Sequence, residues 1–408
     1  MKYIKRQLER KFLSLNSVFK AILLTGARQV GKSTMLKHLA KKHKRNYVSM
    51  DDIQIRELAQ SDPKLFFQMY KPPIIIDEIQ KAPELFDYIK IICDETDEKG
   101  LFWLTGSESR KLLKKAGDSL SGRICILQLM GFSQSEKLEI SEKDDLDFSY
   151  NNLIERQNKR PPNNIRDIFS HIWFGGLPEV QKLDEEQREA YFDSYIETYL
   201  MRDAVDDNGI TDTIGFRKIL RACSAFVGQL LNYNDLAVAS GVSSPTAKEW
   251  MKVLQKMGII YLLEPFYNNE LKRLVKTPKL YFCDTGLGVY LSRWLTPDAL
   301  MQGAASGAFF ENYVVMELIK HYSYSKNKAN ISFYRDVNQK EIDIVLEEGE
   351  FLHSFEIKKS ASPDKKIIKS FNVLDKTTLK RGFGGIICMI DKPLPLDENN
   401  NLIPCNII

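Results

Sequence analysis

The chain carries, at residues 23–34, the stretch Leu23-Leu-Thr-Gly26-Ala-Arg-Gln-Val-Gly31-Lys32-Ser33-Thr34. An apolar run, residues 21–24, leads into it, and a helical pattern, residues 35–39, follows it. The spacing G-x-x-x-x-G-K-S between a strand and a helix is typical of a phosphate-binding loop. Its glycines let backbone N–H groups turn toward phosphate oxygens, and the following helix offers its positive N-terminal end. The alternative is a glycine-containing turn that binds nothing, and the lysine and serine argue against it.

The motif assigns roles to individual residues of this loop. Lys32 is expected to reach the β- and γ-phosphates of a nucleotide, and the Ser33 hydroxyl to bind Mg²⁺. The expected cofactors are therefore ATP and Mg²⁺. We expect the nucleotide to be bound by the whole loop: Gly26, Ala27, Arg28, Gln29, Val30, Gly31, Lys32, Ser33 and Thr34.

Length and composition limit the class of protein. The 408 residues suggest two or three domains, and 43% hydrophobic with 27% charged residues is ordinary for a soluble globular chain. A net charge of +4 is compatible with nucleic-acid binding without arguing for it. The six cysteines and five histidines are scattered, so no zinc site is predicted. Isolated cysteines, with no signal peptide or membrane-spanning run, predict a cytoplasmic protein without a membrane partner.

The first part of the chain alternates short apolar runs with helical patterns, for example residues 83–97. This alternation predicts an α/β fold with a parallel sheet covered by helices on both faces. A surface connection is predicted at residues 141–166, where acidic, Asn-rich and Pro-Pro sequence replaces the apolar pattern. A second change of composition falls near residues 296–307. The predicted strands are residues 21–24, 47–50, 74–76, 101–104 and 124–127.

Polar residues at the ends of later strands complete the expected nucleotide site. Asp77 and Glu78 follow an apolar strand, where the first acid supports Mg²⁺ and the second orients or deprotonates the attacking water. Thr105 and Ser107 follow another strand and either contact the γ-phosphate or water, or cap the next helix. Arg123 either acts as an arginine finger on a neighbouring subunit or forms a structural salt bridge.

Four motifs in this order resemble the prokaryotic AAA-superfamily ATPases that carry a C-terminal domain of unknown function. They are Gly-Ala-Arg-Gln-Val-Gly-Lys-Ser, Ile-Asp-Glu-Ile-Gln-Lys-Ala-Pro-Glu-Leu-Phe, Leu-Thr-Gly-Ser and Ser-Leu-Ser-Gly-Arg. The segment Tyr199-Leu-Met-Arg202-Asp203 and the C-terminal motifs described below also fit, so the resemblance covers essentially the whole chain. Ala27 stands where the family more often has proline, and Ser121 where it often has alanine. Neither change removes a group that the nucleotide needs.

The resemblance implies an ATP hydrolase and an architecture more than a biological role. It implies nucleotide roles for four residues and a place in the sensor strand for two more: Lys32, Ser33, Asp77 and Glu78, then Thr105 and Ser107.

Residues 233–258 read as helix, glycine turn, helix, followed by predicted strands at residues 259–265 and 279–283. This order is that of a winged helix, whose second helix can enter a DNA major groove. Ser243 or Ser244 can cap that helix, with Pro245 in its first turn. One face of that helix is apolar and consists of Trp250, Val253, Leu254 and Met257. Another face carries a lysine at every fourth residue, namely Lys248, Lys252 and Lys256. The alternatives are a protein-interaction module or a solvated lysine face.

The C-terminal segment shows a helix, residues 308–322 with Glu311, followed by strands at residues 331–334, 341–346 and 351–357. A helix at residues 365–374 and a strand at residues 385–390 come next. The order resembles the PD-(D/E)xK nuclease superfamily, with Asp343, Glu356 and Lys358 at the matching positions and Glu311 as the helix acid. Carboxylates there can hold a divalent cation while the lysine activates water. Such folds also persist as inactive binding scaffolds.

These interpretations divide the chain into four segments. They are a P-loop AAA-type ATPase core (1–140), a linker and helical lid (141–212), a winged helix (213–296) and a nuclease-like α/β domain (297–408). The expected function is ATP hydrolysis with Mg²⁺ coupled to binding or processing of nucleic acid, namely double-stranded DNA with weak sequence specificity. A homo-oligomer is the other expected partner. The alternative is an ATP-dependent switch that recruits a protein, with an inactive nuclease-like domain.

The predicted catalytic residues are Lys32, Glu78, Arg123, Asp343, Glu356 and Lys358. The predicted metal ligands are Ser33, Asp77, Glu311, Asp343 and Glu356.

Overall fold

The computed structural model describes residues 2–106, 110–140, 146–162, 164–206, 208–266 and 276–408. The chain packs into two compact units, each built from separate stretches of sequence. The first unit is Met1–Phe132, Tyr195–Thr211 and Lys252–Ile259; the second is Ser133–Ser194, Asp212–Met251 and Ile260–Ile408. The four segments expected from the sequence stay a prediction, and the two units cut across them.

The first unit alternates strands and helices along most of its length. Local signals explain the helix starts; for example, the Asp52 carboxylate accepts from the backbone N–H groups of Gln54 and Ile55 at the start of the third helix. The elements up to Phe132 are α1 Leu8–Asn16, β1 Ala21–Thr25, α2 Lys32–Ala40, β2 Asn46–Ser49, α3 Ile53–Ser61, α4 Pro63–Met69, β3 Ile74–Asp77, α5 Leu85–Glu95, β4 Phe102–Thr105, α6 Arg110–Leu120 and β5 Ile124–Gln128.

All five predicted strands are present in one parallel sheet, in the order β2-β3-β4-β1-β5. The side chains of the three central strands, β3, β4 and β1, are buried; Ile22, Leu23 and Ile75 have no exposed surface. Since parallel strands end at the same edge, the carboxyl ends of β1, β3 and β4 lie side by side. This edge positions the phosphate-binding loop next to Asp77 and Thr105.

The second unit begins with helices. The predicted surface connection at residues 141–166 is wrong over residues 150–158, which form a helix. It forms because Leu153 is fully buried and the Arg156 Nε donates to the carbonyl of Ile407 at 3.0 Å. The helices up to residue 206 are α7 Gln134–Lys137, α8 Tyr150–Asn158, α9 Ile165–Phe174, α10 Glu185–Tyr195 and α11 Met201–Asp206, with a π-helix, Ile196–Leu200, between the last two.

Three helices and a two-stranded antiparallel sheet follow. The last two helices and the strands come in the order expected for residues 233–283, and the first helix was not predicted. The turn before the third helix is made by Gly241 in the left-handed region (φ 72°). The Ser243 hydroxyl accepts from the Thr246 N–H at 3.2 Å, so Ser243 caps that helix as predicted. The elements are α12 Thr213–Cys223, α13 Tyr233–Ser240, α14 Ser244–Lys256, β6 Ile260–Leu263 and β7 Lys279–Phe282.

The C-terminal segment forms a mixed sheet, with helices before it. Its strand order is β13-β14-β12-β10-β9-β8, and β11 pairs with β10. Strands β8, β9 and β10 are antiparallel neighbours, whereas β12 and β14 run parallel to β10. The elements are α15 Thr285–Leu291, α16 Pro297–Gln302, α17 Ser306–Tyr324, β8 Asn330–Arg335, β9 Glu341–Glu348, β10 Phe351–Lys358, β11 Lys380–Arg381, β12 Gly384–Cys388, β13 Leu394–Pro395 and β14 Asn400–Pro404.

The predicted helix at residues 365–374 is a 3₁₀ segment, Lys365–Lys376. Among the described residues, no helix is both long enough and apolar enough to cross a membrane.

Candidate nucleotide site and carboxylate cluster

The phosphate-binding loop joins β1 to α2 through backbone conformations that favour glycine. Gly26 has φ 135°, and a Cβ there would meet the carbonyl oxygen of Leu129 at 2.1 Å. Gly31 has φ 96° and directly precedes the first turn of α2. The loop therefore has the shape that its sequence predicts, and the N-terminal end of α2 opens onto it.

Lys32 lies at the start of α2 and is 7% exposed. Its Nζ donates to two carbonyls of the loop, those of Gly26 at 2.9 Å and Ala27 at 3.0 Å. Burial lowers the pKa of Lys32, and the carboxylates of Glu78 and Asp77 oppose that effect. A phosphate anion in the loop would favour the charged form of this lysine in the same way.

Asp77, the last residue of β3, collects three hydroxyl groups. The Ser33 Oγ donates to its Oδ1 at 2.6 Å, and the Thr105 Oγ1 donates to the same atom. The Tyr47 hydroxyl donates to Oδ2 at 2.8 Å. The hydroxyl and carboxylate predicted to hold Mg²⁺ are therefore in direct contact.

The sequence interpretation missed Tyr47. Burial and the hydrogen bond to Asp77 raise the pKa of its phenol well above the usual range. The only signal was its place in the predicted second strand, which pairs with β3.

Glu78 follows β3 with a left-handed backbone (φ 57°, ψ 46°). Its N–H donates to the Thr105 Oγ1 at 3.1 Å, and its carboxylate accepts from the Gln80 amide. Thr105 thus bonds both acids of the pair. Ser107, the other predicted hydroxyl, lies outside the described residues.

Arg123 forms a salt bridge within its own chain, which is one of the two roles expected from the sequence. Its Nε donates to the Asp94 carboxylate, and its Nη1 donates to the carbonyl of Ser121 at 3.0 Å. The carboxylate keeps the pKa of this guanidinium above its usual range. A finger role on a neighbouring subunit stays a prediction.

Arg28, inside the loop, is tied to the segment that returns to the first unit. Its Nε lies 2.5 Å from the Asp203 Oδ2, and its guanidinium lies 5.8 Å from the ring centre of Tyr199. The Tyr195 hydroxyl donates to the Arg28 carbonyl at 3.4 Å. These contacts were not predicted, because Arg28 and Asp203 are 175 residues apart.

In the second unit, the C-terminal residues predicted as a nuclease site come together. Asp343 on β9 and Glu356 on β10 both bond Lys358, whose Nζ lies 3.1 Å from the Asp343 Oδ2 and 2.7 Å from the Glu356 Oε2. The Ile357 N–H also donates to the Asp343 Oδ2 at 2.8 Å. Alternation along β10 places Glu356 and Lys358 on one face, as predicted.

A lysine that the sequence interpretation missed lies among these carboxylates. Lys279 on β7 is 2% exposed. Its Nζ lies 3.0 Å from the Glu311 Oε1, 2.5 Å from the Glu341 Oε1 and 3.6 Å from the Asp343 Oδ1. We call Lys279, Glu311, Glu341, Asp343, Glu356 and Lys358 the carboxylate cluster.

The charges of the carboxylate cluster perturb one another. Burial raises the pKa of Glu356 to about 8, and the neighbouring Asp343 adds to the rise. Burial alone would also raise the pKa of Asp343, but Lys279 and Lys358 hold it below its usual range. Burial, followed by Asp343, raises the pKa of Glu311. Lys279 and Lys358 are desolvated, yet the carboxylates raise the pKa of both.

The predicted metal ligands of this cluster are Glu311, Asp343 and Glu356. In the part of the chain that the structure describes, no group of three or more His, Cys, Asp or Glu side chains has an arrangement that holds a metal ion. The carboxylates contact lysine ammonium groups instead.

The lysine stripe of α14 faces outward at two of its three positions. Lys248 and Lys252 are exposed and Lys256 is half-buried. The Lys248 Nζ lies 6.0 Å from the ring centre of Tyr233. The predicted apolar face is largely buried: Leu254 has no exposed surface, and Trp250 and Met257 are each 9% exposed.

Three families match consecutive parts of the chain. Residues 18–138 match a family described as AAA domain, residues 165–298 a domain of unknown function (DUF8612), and residues 306–408 a domain of unknown function (DUF4143). Uncharacterized proteins of Mycobacterium tuberculosis and Mycobacterium bovis are each 27% identical over 352 residues, covering 84% of this chain and 71% of theirs.

Two solved structures show a more distant likeness. A Walker-type ATPase of Pyrococcus abyssi is 16% identical, with a TM-score of 0.45, over 71% of this chain and 96% of that one. The RuvB Holliday junction branch migration motor of Thermotoga maritima is 20% identical, with a TM-score of 0.29, over 63% of this chain and 89% of that one. Residues 18–138 thus combine the AAA-domain match with a parallel sheet and a phosphate-binding loop, which supports ATP binding and hydrolysis.

Proposed function

We propose that the protein binds and hydrolyses ATP with Mg²⁺ and couples this to binding of nucleic acid, namely double-stranded DNA with weak sequence specificity. The observation that carries the ATPase part is the convergence of Lys32, Ser33, Asp77 and Glu78 at one edge of the parallel sheet. Catalysis of phosphoryl transfer depends mainly on positioning and on stabilisation of charge, and this edge supplies both.

The residues present fit a magnesium nucleotide. A serine hydroxyl 2.6 Å from a carboxylate is a set of hard oxygen donors of the kind that Mg²⁺ prefers. The ion, when bound, neutralises charge on the phosphate oxygens. Ser33 and Asp77 would hold it, Lys32 and the loop N–H groups would hold the phosphates, and Glu78 would take the proton of the attacking water.

Substitution of the loop lysine tests the ATPase. Lys32→Ala should abolish Mg²⁺-dependent ATP hydrolysis, because Lys32 is expected to supply the positive charge that holds the β- and γ-phosphates. Lys42→Ala is the matched control, since Lys42 is exposed just beyond the end of α2. Unchanged turnover in the Lys32 variant would contradict the assignment.

The nucleic-acid part rests on helices α12–α14 with β6 and β7, which follow the order of a winged helix, and on the exposed lysines of α14. Their even spacing suits phosphates, and few residues that read base edges accompany them, so weak specificity is proposed. Fluorescence anisotropy with duplex DNA across a salt series tests this.

Each lysine that contacts a phosphate should contribute about 0.9 to the logarithmic salt slope, so the double variant Lys248→Ala/Lys252→Ala should flatten it. The alternative function, an ATP-dependent switch that recruits a protein partner, predicts no DNA binding even at low salt.

A homo-oligomer is the second proposed partner, in which Arg123 would act on the nucleotide of a neighbouring copy. Its exposed bond to Asp94 is compatible with exchange of partners. Mass in solution with and without ATP tests the oligomer. A monomer under both conditions would remove the finger role from Arg123.

A further inference from the structure

Lys279 is held in the carboxylate cluster by the backbone of its own strand. The Phe282 N–H of β7 donates to the Asn312 Oδ1 at 2.7 Å, and the Asn312 Nδ2 donates back to the Phe282 carbonyl at 2.9 Å. Asn312 is fully buried on α17, next in sequence to Glu311. The Tyr281 hydroxyl, on the same face of β7 as Lys279, donates to the Glu311 Oε1 at 2.6 Å. These hydrogen bonds join strand β7 to α17 and so place Lys279 next to Glu311.

The ammonium group of Lys279 occupies the position between the carboxylates that a metal ion would need. Three carboxylates lie within 3.6 Å of its Nζ, and the ring centre of Phe333 lies 5.6 Å away. Because the Lys279 Nζ lies 3.0 Å from the Glu311 Oε1 and 3.6 Å from the Asp343 Oδ1, a divalent ion bound by these two oxygens would have to displace it. The donor set therefore does not fit the metal that a PD-(D/E)xK site uses.

The charges of this region nearly balance without a metal ion. Four carboxylates, those of Glu311, Glu341, Asp343 and Glu356, face three cations, since Arg335 joins the two lysines through a 3.0 Å contact with Glu341. Adding a divalent ion would leave excess positive charge in a buried site, which is costly.

We infer that Lys279 serves as the built-in cation of the carboxylate cluster, so that the native chain does not take a divalent metal ion there. The C-terminal domain then acts as a lysine-bridged scaffold rather than a metal-dependent nuclease. Removing Lys279 while keeping the carboxylates should open the site to Mn²⁺.

Mn²⁺ titration of the full chain without nucleotide, followed by electron paramagnetic resonance, tests the inference. Lys279→Ala should bind one additional Mn²⁺ per chain, at least about tenfold tighter than wild type, because carboxylate charge sets the affinity of such sites. Lys279→Arg keeps a cation and should behave as wild type. The double variant Lys279→Ala/Asp343→Asn should lose the added ion.

Two outcomes would overturn the inference. In the first, the wild-type chain binds Mn²⁺ and Asp343→Asn abolishes that binding. This comparison needs no change at Lys279, so it remains decisive even if Lys279→Ala does not fold. The other is a Lys279→Ala chain that unfolds cooperatively and gains no ion. A thermal unfolding curve for each variant, with and without Mn²⁺, separates folding from binding.

Discussion

At position 78 a glutamate adopts the left-handed backbone region that glycine usually occupies (φ 57°, ψ 46°). Such a conformation persists only where the surroundings enforce it, and it is often found at functional sites. Here the enforcing contact is the hydrogen bond from the Glu78 N–H to Thr105. The strained residue is the one that the sequence marks as the base for water.

Replacing this carboxylate by its amide should separate hydrolysis from binding. Glu78→Gln keeps the shape of the side chain but removes the proposed base, so hydrolysis should fall by about 10²- to 10⁴-fold. ATP affinity, measured by fluorescent-nucleotide titration, should change little. Glu84→Gln, at an exposed position of the same region, is the control and should keep wild-type turnover. Equal losses in both variants would contradict the role of Glu78.

A second prediction at this scale concerns His171 on α9. Burial, followed by the charge of Lys137, lowers its pKa to about 4. Because this folded-state pKa lies below the unfolded value of about 6.5, the unfolded chain binds more protons between these two values. The stability contributed by neutral His171 is therefore complete above pH 6.5, on that reference value, and is lost as pH falls toward 4.

Chemical unfolding across this pH range should show a slope of up to about 1.4 kcal/mol per pH unit from this one group. His171→Asn should remove that part of the slope, whereas His43→Asn, at an exposed position, should not. A slope that is the same in wild type and His171→Asn would contradict the assignment.

At the scale of elements, the loop between β1 and α2 depends on a distant helical stretch. Tyr195, Tyr199 and Asp203 recur every fourth residue across the π-helix Ile196–Leu200, and all three contact Arg28. A π-helical turn is uncommon and often marks a functional region. In this protein the π-helical turn belongs to the stretch whose side chains contact Arg28 of the phosphate-binding loop.

A double-mutant cycle measures this connection. Arg28→Ala and Asp203→Ala should show a coupling of about 1 kcal/mol in the free energy of unfolding, because both side chains are largely buried. Each should also weaken ATP binding, since Arg28 belongs to the loop. The matched pair Lys115 and Asp87 is exposed, so its coupling should stay below about 0.5 kcal/mol. Indistinguishable couplings for the two pairs would argue against a special role for Arg28.

At the scale of the whole molecule, the first unit is completed by residues that come late in the sequence. Tyr195–Thr211 and Lys252–Ile259 belong to it although they follow parts of the second unit. A fragment that ends at the predicted boundary, residue 140, lacks Asp203 and both returning stretches. Contact between distant parts of the chain, rather than a linker, therefore sets the limits of this unit.

This arrangement predicts the behaviour of the isolated segment. A chain of residues 1–140 should unfold several degrees below the first unit of the full chain, because a loss of about 1 kcal/mol corresponds to roughly 2–8 °C for domains of this size. Fusing residues 195–211 through a flexible linker should restore part of the loss. A fragment as stable as the full chain would show that the returning stretches contribute nothing.

Local patterns in the sequence were sufficient to place the loop Gly26–Ser33 between a strand and a helix, the acids Asp77 and Glu78 at a strand end, and all five strands of the first sheet. Each of these depends on neighbours a few residues apart: glycine spacing, a lysine and serine at a helix start, or an apolar run that ends in acids. The order β2-β3-β4-β1-β5 was not available, because pairing between strands leaves no trace in local spacing.

Only the tertiary structure revealed Tyr47 at Asp77, Asp203 at Arg28 and Lys279 among the carboxylates. Tyr47 and Lys279 look like ordinary strand residues in the sequence, and Asp203 like an ordinary helix residue. Their contacts form between segments 30 to 175 residues apart, so burial and charge complementarity in the folded chain decide them. The sequence by itself determined which chemical groups are present and the local backbone that carries them. Folding decided which groups meet, and so whether an acid contacts a hydroxyl or a lysine.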